Sequence, residues 1–423
     1  MISGLDIVCI SSIEWNFVWQ GHQEIASRLA QAGNRVLYIE NTGVRSPGIR
    51  DAKRVSARFG NWARSMRSAG VREVAANMYL CSPLVLPPLG ASWQRQINRR
   101  LLLPIVRRTA QALGMRDILI WTYLPTDTAL DVIQLLRTPR SLLVYYCIAD
   151  FSQLTPQSLR LRQSEELLIQ SSDLIFAQGP EIAAHCARWS DQVHIFPFGV
   201  DLDKFPIQDE DPGNASTGDH PSGDHSSDSI EFLNSLPRPL IGYIGGVHRH
   251  VDFGLLIEMA RARRDWSWVF VGPIQTSVVG LEELPNVYLL GQQEHHTLVR
   301  YIRQFDVCIV PYVKSHFTST VVPTKINEYL AVGKPVVSTE LPAVVRFNAQ
   351  HDILQTASTE PKDFLLAIER ALKMPTDETA IARRRAVAEL GNWDSRLEAM
   401  SQLIETKLRD QGRPSESYLL KTQ

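Results

Sequence analysis

Lys325 and Glu328 stand three positions apart in "VPTKINEYLAVGKPVVSTELP" (residues 321–341), a spacing that puts both on one face of a helix. Pro323 and Thr324 are good starting residues, Gly333 is a good stop and Pro335 opens a following strand. The helix so bounded has about two and a half turns. Ile326, Tyr329 and Leu330 form its buried stripe, which leaves the lysine and the glutamate on the other side. A lysine together with the N–H groups of a helix start can hold a diphosphate. A carboxylate one turn further on only accepts hydrogen bonds and can take both hydroxyls of a ribose. The pair suits a nucleoside diphosphate, although an ordinary surface ion pair has the same spacing.

Those two side chains need a scaffold, and the rest of the chain supplies its signals. Short runs apolar on both faces, "LDIVCIS" at 5, "NRVLYIE" at 34, "DILIWTY" at 117, "SLLVYYC" at 141 and "DLIFAQ" at 173, alternate with helical patterns. Such runs indicate a parallel sheet covered on both sides, a doubly wound α/β domain. The alternation restarts with "PLIGYIGG" (239–246), "WSWVFVGP" (266–273), "NVYLLG" (286–291), "DVCIVPY" (306–312) and "KPVVST" (334–339). The expected organisation is a first Rossmann-like domain over 1–206, an acidic flexible linker over 207–236 and a second Rossmann-like domain over 237–390. A C-terminal helix and tail over 391–423 can cross back to the first domain. The linker holds seven acids and no Lys or Arg. Two such domains facing each other leave a cleft at the carboxyl ends of their strands.

The chain of 423 residues exceeds the roughly 250–300 residues at which one core stops growing. Its formal net charge of -1 gives no global case for nucleic acid, but residues 41–116 hold fourteen Lys or Arg against Asp51 and Glu73. With Trp62, Trp93 and "LLLPIV" (101–106) among the arginines, that stretch fits a surface resting on anionic lipid, a site attracting a polyprenyl diphosphate, or a plain solvated basic face. Five scattered cysteines without CxxC spacing argue against a disulfide framework or a zinc site and for a reducing cytoplasm. No signal-peptide pattern opens the sequence and no apolar run reaches the roughly 20 residues of a membrane span, so the expected protein is cytoplasmic, soluble or peripheral to the inner face of the membrane.

"PTKINEYLAVGKPVVST", with "IGYIGGV" and "LPNVYLLG" upstream, resembles the C-terminal half of GT-B glycosyltransferases, near the bacterial exopolysaccharide and teichuronic-acid type sugar transferases of the group 1, family 4-like kind. "YYCIADFS" (145–152), "SSDLIFAQGPEIAAH" (171–185) and "VHIFPFGVDLDKF" (193–205) are similar to segments of the N-terminal half, so the resemblance covers most of the chain. It implies a GT-B fold, Glu328 on the nucleotide ribose and Lys325 on the donor phosphates. Many such enzymes carry a second glutamate eight positions earlier, against the transferred sugar. Here that position is Thr320, and Thr318, Ser319 and Thr320 are expected to offer neutral hydrogen bonds instead.

The remaining candidates follow from the chemistry a sugar transfer needs. The pair Gly245-Gly246 in "IGYIGGVHRH" lets backbone approach a phosphate, and Arg249 either adds a fork to the diphosphate or is an exposed turn arginine. The run is not GxGxxG, so dinucleotide binding is not indicated. Thr324, Gly272 and Pro311-Tyr312 complete the donor rim, with tight-turn packing and contact to the base both open for the last three. An acceptor hydroxyl attacks well only while its proton is being removed. Asp150, closing "LLVYYCIAD", is the expected base and implies an inverting outcome, with an N-cap role as the alternative; related retaining enzymes have a histidine at the preceding position, here Ala149. Glu14 is the reserve base. Trp15, Trp19 and His22 in "SSIEWNFVWQGHQE" either face an acceptor sugar or lipid chain or cover the sheet. The expected donor is a nucleotide sugar, most simply a UDP-sugar, the acceptor is lipid-linked or a growing polysaccharide, and no metal is expected because no DxD-like pair sits in a suitable loop. A sugar-nucleotide epimerase and a non-catalytic binding protein share the same features.

Overall fold

The computed structural model describes residues 1–16, 18–40, 71–83, 85, 92–151, 158–207 and 225–412. It divides into two units, Met1–Pro197 with Asp394–Gln423, and Phe198–Trp393. Residues 41–70 of the basic stretch, most of the acidic segment and the tail from 413 lie outside the described residues.

The first unit contains β1 (Asp6–Ile10), α1 (Gly21–Gln31), β2 (Arg35–Ile39), β3 (Arg72–Ala75), β4 (Met78–Cys81), α2 (Ser92–Ala112), β5 (Leu119–Thr122), α3 (Asp127–Leu136), β6 (Leu142–Cys147), α4 (Ser158–Ser171), β7 (Leu174–Ala177), α5 (Pro180–Cys186) and β8 (Val193–Ile195), and the runs apolar on both faces form β1, β2, β5, β6 and β7. The strand order is β3-β4-β2-β1-β5-β6-β7-β8, parallel except for the β3–β4 hairpin. Every residue of β5, β6 and β7 is buried, as strands covered by helices on both faces require. The chain winds outward from β1 in one direction and from β5 in the other, so the topological switch falls between these two strands.

The second unit contains α6 (His225–Ser235), β9 (Leu240–Ile244), α7 (Phe253–Ala262), β10 (Ser267–Val271), β11 (Val287–Leu289), α8 (Leu298–Gln304), β12 (Val307–Val310), α9 (His316–Ser319), α10 (Lys325–Ala331), β13 (Val336–Thr339), α11 (Pro342–His351), β14 (Gln355–Ala357), α12 (Pro361–Leu372) and α13 (Glu378–Glu389). Its six parallel strands run β11-β10-β9-β12-β13-β14, which places the switch between β9 and β12. The last helix, α14 (Trp393–Asp410), returns to the first unit. There Ile2 donates its N–H to Ser401 Oγ at 3.1 Å, and Arg28 pairs with Asp394.

The segment expected to be linker through 236 is helical from His225. Leu233 is fully buried, Ile230 packs on the second unit's core, and Phe232 meets the Tyr288 ring edge-on at 5.5 Å. Ile230 and Leu233, three positions apart, give an otherwise acidic stretch one face worth burying, while Phe232 stays exposed.

Candidate active site

Both members of the opening pair sit at the switch point of the second sheet. Helix α10 is only seven residues long, and Ile326, Tyr329 and Leu330 form its buried stripe as expected. The Tyr329 hydroxyl accepts the N–H of Ile244, the last residue of β9, at 2.8 Å. That bond docks the helix on the strand immediately before Gly245. At the other end Gly333 adopts φ +77°, and Arg384 and Arg385 of α13 donate to the carbonyls of Gly333 (3.0 Å) and Ala331 (2.8 Å). The helix is thereby held at both ends. Thr324 does not cap it: its backbone is already helical and its side chain makes no capping hydrogen bond.

Lys325 reaches into the turn after β9. A Cβ on Gly245 would lie 3.2 Å from Lys325 Cε and 3.4 Å from Nζ, so the lysine tip rests on bare backbone. Its ammonium donates to the Tyr312 hydroxyl and lies 5.0 Å and 4.9 Å from the Tyr243 and Tyr312 ring centres. The tyrosines steady the cation without neutralising it. Gly245 has φ +124°, a conformation that favours glycine. Glu328, one turn along, is half-buried, and its carboxylate has no hydrogen-bond partner among the described residues. Burial raises its carboxyl above the usual range, and Lys325 opposes that rise. A carboxylate left in this state gains most from a ligand that brings hydroxyl donors.

The other donor candidates divide. Tyr312 joins the site through Lys325. Gly272 is required by packing, since a Cβ there would fall 2.1 Å from the Gly245 carbonyl oxygen, whereas one on Gly246 would meet only the end of the Gln275 side chain, at 2.8 Å. Pro311 is committed as well, its carbonyl accepting from Asp252 N–H at 2.8 Å. Arg249 is exposed and turned to His250 rather than to Lys325, with Nε and the imidazole Nε2 3.5 Å apart. The neutral donors expected around Thr320 are spent locally. Thr318, Ser319 and Thr320 give their hydroxyl protons to the carbonyls of Val313 (2.6 Å), His316 (2.7 Å) and Phe317 (2.9 Å), leaving only acceptor lone pairs for a ligand. Sequence reasoning also passed over His248 and His250. His248 lies 5.7 Å from the Tyr312 ring and His250 stacks on Phe317 at 4.4 Å. Their signal was "VHRH" directly after the glycine pair.

In the first unit, Asp150 stands three residues beyond the end of β6, half-buried. It lies close enough to His185 to raise that imidazole's pKa, though the larger cause is Glu165. Glu165 is buried and uses both oxygens, accepting from the Tyr145 hydroxyl at 2.9 Å and facing His185 Nε2 at 3.3 Å. This pair of a buried glutamate and a half-buried histidine leaves no sequence signal, because its members are twenty positions apart on different helices.

The residues after β1 turn out more structural than expected. His22 is buried, bonded through Nδ1 to Ser11 Oγ at 2.7 Å and stacked on Tyr123 at 3.7 Å, and burial pushes its pKa down to about 3. It is a neutral core imidazole, not a contact for an acceptor. Trp19 gives its indole N–H to Glu24 at 2.6 Å and meets Trp15 edge-on at 5.5 Å, while Trp15 packs on Tyr38 at 5.3 Å. Glu14 is half-buried, and its charge adds to burial in raising the carboxyl of Glu40, which anchors this loop by accepting from Trp15 N–H at 2.7 Å.

Two open doubly wound parallel sheets, the second with a lysine and an open carboxylate at its switch point, define a class: this is the GT-B fold of glycosyltransferases. Within it, residues 238–374 match the family described as "Glycosyl transferases group 1". The chain is 28% identical over 240 residues to a Bacillus subtilis (strain 168) protein named as a teichuronic acid biosynthesis glycosyltransferase, TuaH. That match spans a little over half of each chain, 56% of this one and 56% of the relative. Among solved structures, the sucrose-phosphate synthase of Thermosynechococcus elongatus aligns with TM-score 0.69 and 16% identity over 96% of this chain and 100% of its own. Anabaena Alr3699/HepE, solved in complex with UDP and glucose, aligns with TM-score 0.64 and 13% identity over 95% and 99%. The α,α-trehalose-phosphate synthase (UDP-forming) of Burkholderia vietnamiensis gives 0.63 and 14% over 96% and 97%. The expected GT-B fold and the group 1 resemblance are thus both borne out.

Proposed function

We propose that the protein transfers a sugar from a nucleoside diphosphate sugar to a lipid-linked or growing polysaccharide acceptor at the inner face of the membrane. The observation that carries this reading is the meeting of Lys325, Gly245 and Tyr312 beside the Glu328 carboxylate, which has no hydrogen-bond partner among the described residues. Lys325 binds the diphosphate and stabilises it as it leaves, and Glu328 accepts from the ribose hydroxyls. UDP is the favoured nucleotide, since HepE was solved with UDP and a trehalose-phosphate synthase is UDP-forming. Asp150 takes the proton of the acceptor hydroxyl as that oxygen bonds to the anomeric carbon and the bond from that carbon to the phosphate oxygen breaks. Direct displacement of this kind inverts the anomeric centre. No metal has a role in the scheme. Among the described residues no group of three or more His, Cys, Asp or Glu is arranged to hold one.

The test is thermal stabilisation by a panel of nucleotides and sugar nucleotides. UDP is expected to raise the unfolding temperature of the wild type, and Glu328→Ala to weaken UDP binding by roughly 10- to 150-fold, the equivalent of one charged hydrogen-bond set. Equal stabilisation of both proteins by UDP would remove Glu328 from the ribose. Release of a free epimer without transfer would replace the transferase reading by an epimerase.

A further inference from the structure

Helix α2 has five arginines and no acid over Ser92–Ala112. Arg95 and Arg99 point along the flank to α3: Arg95 bonds Asp131 at 2.8 and 3.1 Å, and Arg99 lies 3.9 Å from the same carboxylate. Arg100, Arg107 and Arg108 are exposed and have no acidic partner among the described residues. They share the outer face with large apolar side chains. Trp93 is 59% exposed, Ile97 36% and Leu101 46%, at i, i+4 and i+8, and Pro104 continues the line. Gln94, Asn98, Leu102, Val106 and Thr109 are buried on the opposite side, so this rotation of the helix is fixed by the core rather than free to turn its apolar residues inward.

A helix with polar side chains at buried positions and a tryptophan, an isoleucine and a leucine in water is the reverse of what a soluble surface needs. Three guanidinium groups with no acidic partner among the described residues, beside that apolar line, match an interface that is negatively charged at its surface and hydrocarbon just beneath. We infer that the outer face of α2 docks on an anionic phospholipid bilayer, with Trp93, Ile97 and Leu101 entering the headgroup boundary and Arg100, Arg107 and Arg108 on the lipid phosphates. The inference deepens the reading of a membrane-side enzyme and rests on it. Nucleic acid would use the arginines but leave the apolar line in water, and a second protein copy would need acids opposite them.

Flotation with phosphatidylcholine vesicles, with and without about a third phosphatidylglycerol, tests it at near-physiological salt. Wild type is expected to float with the anionic vesicles and to be released by high salt. Arg100→Gln/Arg107→Gln/Arg108→Gln should lower partitioning about ten-fold or more, and Trp93→Ser/Leu101→Ser should lower it on its own. Quenching of tryptophan fluorescence by brominated lipid should fall in Trp93→Phe. Stabilisation by UDP should stay at wild-type level in all these variants, which keeps the donor reading separate. Variants that float like wild type would move the docking surface elsewhere while leaving membrane association standing. No flotation of the wild type, or tighter binding to single-stranded RNA than to vesicles, would overturn both the surface and the membrane-side reading.

Discussion

Asp150 and Glu328 are asked to do different things, and their environments differ accordingly. Glu328 lacks a hydrogen-bond partner among the described residues and waits for hydroxyl donors, whereas Asp150 lies close enough to His185 to favour protonation of that imidazole. Replacing Asp150 by Asn should keep UDP affinity and lower kcat by roughly 100-fold or more, the usual worth of a general base. Wild-type turnover in that variant would pass the role to Glu14. His185 reports on the same locale. Its pKa is raised chiefly by the hydrogen bond to Glu165, against the lowering effect of burial, so in Glu165→Gln the pKa, read from NMR titration, should fall, and by a smaller step in Asp150→Asn. An unmoved His185 titration would show that the buried carboxylate does not govern it.

At the scale of elements, the position of α10 decides whether Lys325 meets Gly245. Tyr329→Phe leaves the Ile244 N–H without its acceptor and should cost about 1–3 kcal/mol of stability in denaturant titration, together with weaker UDP binding. Gly333→Ala should cost a similar amount, about 1–3 kcal/mol, because an alanine there would combine φ +77° with a Cβ 2.7 Å from Ile381 Cγ2. The strands were legible because runs buried on both faces announce themselves, and so was the stripe of α10, which repeats at helical spacing. Helix α6 was not, since one fully buried residue, Leu233, in an acid-rich stretch gives no sustained period. In the site, Lys325 and Glu328 could be read because they share one short helix. The roles of Trp19, His22 and Thr320 stay open in the sequence because their hydrogen bonds are set by Glu24, Ser11 and Phe317, and such pairings follow from tertiary or turn geometry that residue type leaves undecided.

For the molecule as a whole, His22 sets an acid limit. Its folded pKa of about 3 lies below the roughly 6.5 expected in the unfolded chain. As pH falls below about 6.5 the unfolded state takes up a proton that the folded state refuses, so stability is full above that value and declines on the way down to about 3. Between pH 7 and 5.5 the loss from this one group should be roughly 1 kcal/mol. Unfolding free energies of wild type and His22→Asn, measured across that range, should draw together by this amount. Parallel curves would mean that the imidazole titrates normally in the fold.

Finally, the first unit is made from both ends of the described chain. Ile2 is bonded to Ser401, Arg28 is paired with Asp394, and Leu397, Met400, Ile404 and Leu408 of α14 are all buried. On the ribosome, therefore, the second unit has its entire sequence available while the first still lacks its closing helix. Until α14 emerges, Leu397, Met400, Ile404 and Leu408 are missing from the first unit, and the surfaces that bury them stay open to water.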